Sequence, residues 1–199
     1  MKYYLTKTLI ENPAIDSPEW EKAAVGEIAV NRWEGYAKAP HTTFKMLRGP
    51  KGISLLVHTD ETHLRAEVTC LNGEICTDSC VEFFLKPDNH DTRYLNFEIN
   101  PKGVLHLGIG EGREERRHPE IDPAVFDIVS RPVEGDWTLK LYIPDSFLLE
   151  HFSKISAVCR ANLYKCGDLT DHEHYGAWSE VEVAEPDYHV PDFFGRLYL

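Results

Sequence analysis

Apolar and polar residues alternate with period two along most of this chain. The clearest case is residues 80–100, where Val81, Phe83 and Leu85 alternate with Glu82, Phe84 and Lys86. After the turn-forming PDNHD stretch, Leu95, Phe97 and Ile99 alternate with Tyr94, Asn96 and Glu98. Such alternation predicts two half-buried strands joined as a hairpin. Similar runs at 26–33, 53–60, 64–70, 104–110, 126–133, 137–144, 156–165 and 194–199 read as further strands. Gly, Pro, Asn and Asp clusters such as LRGPKG, LNGE, NPKG and VEGDW punctuate them. Only 144–152, PDSFLLEHF, reads as a helix, started by its proline. The expected fold is all-β: a two-sheet antiparallel β-sandwich of immunoglobulin or jelly-roll kind, with one or two short helices. One face of each sheet should enter a core and the other should be partly solvated.

The hairpin raises an electrostatic problem. If its apolar residues share the core face, even positions pair with even, and Glu82 lies directly opposite Glu98. Opposed like charges destabilise a sheet unless something neutralises them. In the run 156–165 the same alternation puts Cys159, Ala161 and Leu163 inward and leaves Arg160, Asn162 and Tyr164 on the other face. Arg160 is therefore the expected partner of the two carboxylates, through charge-assisted hydrogen bonds. A floor of Glu82, Asn96, Glu98, Arg160 and Asn162 also suits sugar hydroxyls, which need donors and acceptors in fixed positions. A plain solvated sheet face carrying an Arg–Glu network is the alternative reading.

Aromatic residues add to the picture. Trp20 and Trp137 begin apolar-periodic segments and read as core. Trp33, in NRWEGY, and Trp178, in HYGAWSEVE, are candidates to stack on a sugar ring. Other constellations are weaker. Cys166, His172 and His174 lack a fourth ligand and fit no common zinc spacing. Arg113, Arg116 and Arg117 alternate with acids, as in a solvated loop. No nucleophile-elbow motif organises the Ser, Cys and His residues.

The chain's 199 residues suit one domain, with 1–25 as an N-terminal extension packed on it or leading into it. A formal charge of −12 argues against nucleic-acid and anionic-membrane partners and is silent about a neutral sugar. Five cysteines, an odd number, favour free thiols. No apolar run near the N-terminus resembles a signal peptide, so a cytoplasmic location is expected, or an extracellular one where a signal sequence has been removed.

Several stretches together resemble the family 9 carbohydrate-binding modules and their stand-alone relatives. They are DSCVEFFLKP, YLNFEINPKGVLHLGIG, GREERR, WTLKLYIP, CRANLYKCGDLT and HYGAWSEVEVAEPDYHVPDFFGRLYL, in matching order from about Gly26 onward. The resemblance implies a β-sandwich that binds soluble sugars or chain ends without catalytic machinery. It implies that Glu82, Asn96, Glu98, Arg160 and Asn162 hydrogen-bond a sugar and that Trp178 stacks on it. Family members often carry a second aromatic wall in the loop before the DSxE strand. Here that loop has Ile75 and Cys76, which leaves Trp33 and Tyr94 as candidates for the wall. Structural calcium occurs in such modules, but no dense Asp/Asn loop commits one here.

Two other functions remain open at this level. A glycoside hydrolase could use Glu82 and Glu98, whose separation across adjacent strands is near the ~5–5.5 Å of retaining enzymes. A structural or interaction domain would carry the polar face as mere surface.

Overall fold

The structure is a computed structural model describing residues 1–199. Its strands are β1 (Lys2–Tyr4), β2 (Thr6–Lys7), β3 (Gly26–Glu27), β4 (Thr42–Arg48), β5 (Gly52–Thr59), β6 (Cys80–Lys86) and β7 (Tyr94–Ile99). They continue with β8 (Leu105–Gly110), β9 (Val129–Val133), β10 (Asp136–Pro144), β11 (Val158–Cys166), β12 (Tyr175–Ala177) and β13 (Gly195–Tyr198). Helix α1 (Asp145–His151) follows β10 and buries Phe147 and Leu148, as the pattern of 144–152 predicts. One sheet has the order β1-β13-β11-β6-β7-β8, with β12 beside β11. The other runs β2-β4-β5-β10-β9, with β3 beside β4. Most pairs are antiparallel, but the two short N-terminal strands enter in parallel: β1 beside β13 and β2 beside β4.

The two sheets enclose the expected core. Phe44, Met46, Leu55 and Val57 from one sheet, with Leu139 and Leu141, meet Phe83, Leu85, Phe97, Ala161 and Leu163 from the other. A buried ion pair lies at the end of the core-facing row of β11, where Lys165 Nζ sits 3.0 Å from Glu61 Oε2. The same ammonium donates to the Cys166 carbonyl and lies 3.0 Å from His174 Nε2.

Several features depart from the pattern reading. Residues 64–70 form no strand: the backbone N–H groups of Glu67 and Val68 donate to the Asp78 carboxylate at 2.8 and 2.9 Å, and Arg65 N donates to Ser79 Oγ. Side chains there satisfy donors that a ladder would otherwise take. Strands β1, β2, β4 and β12 lie outside the runs read as strands, and of the run 26–33 only Gly26–Glu27 is strand, although in β4 Phe44 and Met46 point inward against Thr43 and Lys45. Finally, the outer face of the larger sheet is not solvated around β6 and β7, whose residues are almost all buried. Phe84, Tyr94 and Tyr164 on that face pack with Val181, Tyr188 and Phe194 from the segment 180–194. The Tyr164 and Tyr188 rings stack at 3.8 Å with planes 10° apart, pinning that segment across the sheet.

Candidate functional site

Glu82 and Glu98 are paired residues of β6 and β7, as are Phe84 and Asn96. Both carboxylates lie on the outer face, 4% and 7% exposed, at the floor of a cavity of about 140 Å³. Tyr175, Tyr188, His189, Cys76, Cys166, Asp168 and Arg113 line it with them.

The answer to the charge problem differs from the one expected. Arg160 pairs in register with Lys86, whereas Tyr164 is the residue opposite Glu82. Four residues of extended strand put Arg160 about 13 Å from the carboxylates along the sheet. It donates to the Asp192 carbonyl instead. The cation linked to the pair is Arg116, from the loop read as solvated, and the link runs through Asn96. Its Nε and Nη2 both donate to Asn96 Oδ1, at 2.9 and 2.6 Å, and Asn96 Nδ2 donates to Glu98 Oε1 at 2.8 Å. The guanidinium carbon lies 4.4 Å from the centroid of the Tyr94 ring. A second cation, Arg113, lines the cavity while paired with Asp187 at 2.8 Å.

Glu82 has no basic partner; its one hydrogen bond comes from the Cys166 thiol, at 3.0 Å. Burial, reinforced by repulsion from Glu98, raises the Glu82 pKa well above the usual carboxylate range. The two acids thus sit in unlike surroundings: Glu98 accepts from the Asn96 amide, while burial disfavours the charged form of Glu82. His189 is neutral, its pKa pushed down to about 3 by burial and then by Arg116 and Arg113. It meets the Tyr94 hydroxyl through Nδ1 at 2.8 Å.

The remaining expected residues fall at different distances from the cavity. Asn96 and Tyr94 form the layer behind it, both essentially unexposed. Asn162 is fully buried and clamps the chain after β12, accepting from Ser179 N and donating to Ser179 O. Trp33 stands behind the wall, its ring 6.2 Å from Tyr175 and 6.0 Å from Tyr188, with Nε1 donating to the Val183 carbonyl. Trp178 is not at the cavity. In β12, Tyr175 and Ala177 pair with Cys166 and Tyr164 on the outer face, so the next position turns inward. Trp178 therefore packs against Tyr3 and Phe44 in the core. A Cβ on Gly195 would come within 2.6 Å of its ring.

Tyr175, Tyr188, His189 and Arg113 are cavity residues that pattern reading did not single out as site residues. Parity along HYGAW was the available signal for Tyr175. Nothing local marks the other three, which arrive from distant loops.

For metal chemistry, Cys166 and His174 part company: Cys166 faces the cavity and His174 faces Lys165. Cys80, Glu82 and Cys166 do bring ligand atoms within 4.8 Å of one another. Burial pushes the Cys80 thiol up to about 12, and the Cys80 contact and burial raise Cys166 as well, which disfavours the thiolate forms that ligate metals. No helix is long and apolar enough to cross a membrane.

No curated protein matches the chain. Among solved structures, a protein of Bacteroides uniformis proposed to bind carbohydrate superposes with a TM-score of 0.83 at 28% identity, over 99% of this chain and 98% of that one. A family 9 carbohydrate-binding module from Caldicellulosiruptor kristjanssonii, in complex with cellotriose, gives 0.69 at 11% identity over 100% and 93%. Its glucose complex gives 0.71 at 10% identity over 100% and 95%. These last two likenesses show a shared fold. The model of carbohydrate-binding family 9 matches residues 14–199, almost the whole β-sandwich with its cavity, and the chain belongs to that family.

Proposed function

We propose that the chain binds a neutral sugar, as a monosaccharide or as the end of an oligosaccharide, in the cavity above Glu82 and Glu98. The observation that supports this most is the carboxyl pair itself: two opposed acids, Glu98 accepting from Asn96 and Glu82 with its pKa raised by burial, in a cavity that Tyr175 and Tyr188 also line. An ionised carboxylate accepts two vicinal hydroxyls, and a protonated one both donates and accepts. Tyr175 and Tyr188 offer ring surface, and Arg113 offers donors. The cavity is smaller than the usual ~300 Å³ minimum of drug-sized pockets, which favours one ring over a long chain. The family structures carrying glucose and cellotriose agree with such a ligand.

The test is calorimetric titration with glucose, cellobiose, xylobiose and related sugars, using wild type and Glu98→Gln. Expected is binding tighter than millimolar by at least one sugar, abolished in the variant. A folded protein silent toward the whole panel at millimolar concentration overturns the proposal.

The raised pKa of Glu82 also meets one requirement of a glycosidase acid. Turnover of aryl glycosides that disappears in Glu82→Gln would establish hydrolysis; binding without turnover assigns the pair to recognition alone.

A further inference from the structure

The outer face of the larger sheet carries a second charge anomaly, opposite in sign to the first. Lys2 pairs in register with Arg196, Arg196 with Arg160, and Arg160 with Lys86. Four cations thus form one straight row across β1, β13, β11 and β6. Neighbouring strands are about 4.8 Å apart, so the row spans about 14 Å. Directly opposed like charges disfavour sheet pairing, and this protein has acids to spare, with a net charge of −12. Yet none of the four joins an ion pair. Arg160 Nε is buried with no hydrogen-bond partner, and Nη2 reaches only the Asp192 carbonyl.

Three of the cations, Lys86, Arg160 and Arg196, line an open concavity of about 420 Å³. Asn89 and Asp192 share it. Beside the row, on the same face, Tyr4 pairs with Tyr198. Their rings stack at 4.3 Å and 18°, and Tyr4 is 60% exposed. Stacking covers one face of each ring, and the other face of Tyr4, on the edge strand β1, stays open to solvent, so an apolar ring face and regularly spaced anion contacts lie side by side.

We infer that this row is a second binding face, for an oligosaccharide bearing carboxylate or sulfate groups. A sugar ring lies against the open face of Tyr4, which Tyr198 backs, and the saccharide's anionic groups meet Lys2, Arg196, Arg160 and Lys86. Strand spacing gives the face a periodic row of charges that a linear polyanion can follow, and Arg160 and Arg196 can grip planar anions through two N–H groups at once. The choice of a saccharide over other polyanions rests on the proposed sugar-binding function; the anion preference rests on the row alone.

The experiment titrates the protein with tetragalacturonate, a heparin tetrasaccharide, neutral cellotetraose, a single-stranded oligonucleotide and inorganic sulfate at matched ionic strength. Wild type is compared with Arg196→Gln, at an exposed position, and with Arg160→Gln plus Lys86→Gln. At least one acidic tetrasaccharide should bind, with affinity falling as salt rises. Each variant should lose about tenfold or more. Cellotetraose, at the Glu82–Glu98 cavity, should bind all variants alike, so loss of one site is distinguished from failure of the other. The inference is overturned if neither acidic tetrasaccharide binds, if binding survives in Arg196→Gln, or if the oligonucleotide or free sulfate binds as well.

Discussion

Arg116 grips Asn96 through two nitrogens and thereby acts on Glu98 without touching it. The guanidinium also donates to the carbonyls of Gly112, Tyr94 and Gly108, so one loop side chain fastens the 110–117 turn to the sheet behind the cavity. Burial lowers its pKa, opposed by Tyr94 and Glu98, and it works from a partly desolvated position. Hydrogen bonds to charged groups contribute about 1.5–3 kcal/mol. Arg116→Ala is expected to lower stability by about 3 kcal/mol in urea melts and to weaken sugar binding. Arg116→Lys, lacking the fork, should restore little of either.

Glu82 links pH to stability in a predictable direction. Its pKa is higher folded than unfolded, so the folded state holds the proton more tightly. The stabilising contribution is complete below the ordinary glutamate value of about 4.3 and is lost as pH rises toward the folded pKa. Glu82→Gln removes that loss. Thermal melts should show the variant more stable than wild type at neutral pH and nearly equal to it near pH 4, with sugar affinity reduced throughout.

Two aromatic substitutions should separate binding from folding. Trp178 lies in the core and is 4% exposed; Trp178→Ala should cost about 3–5 kcal/mol. Tyr175 is half-buried at the cavity wall. Tyr175→Ala should reduce sugar affinity by about tenfold with a much smaller drop in melting temperature. Loss of binding in Trp178→Ala at temperatures where it remains folded would contradict this division.

The Lys165–Glu61 pair predicts an asymmetry. Lys165 is unexposed, and His174 beside it is held neutral, its pKa near 4, by burial and then by Lys165. Lys165→Ala leaves Glu61 buried without its cation, at a cost of about 3–5 kcal/mol. The double change Lys165→Met with Glu61→Leu should recover most of that loss in chemical denaturation.

The hairpin was legible because parity is a local property. Val81 through Leu85 and Leu95 through Ile99 can share a core only when even positions pair with even, and the short turn between them selects the register observed. Parity says which face a side chain takes and nothing of its height along a neighbouring strand. Arg160 was therefore assigned to the right face and the wrong level, set by the pairing of Ala161 with Leu85. Trp178 failed through the other half of the rule, because it lies one residue past the outward positions of β12. Tyr188, His189 and Arg116 come from loops whose course depends on tertiary contacts, above all the Tyr164–Tyr188 stack. Their chemistry was visible in the sequence; their destination was not.

The parallel seat of β1 beside β13 has a consequence for how the protein is made. β13 lies between β1 and β11, so β1 has no place in the larger sheet until β13 has docked. During synthesis β1 must wait, without its partner in this sheet, until β13 has left the ribosome. Tyr3 and Leu5, both core residues, wait with it. Closure of this sheet is a late event in which the two ends of the fold lock each other, and a ribosome stalled before β13 would hold a sandwich open along one edge.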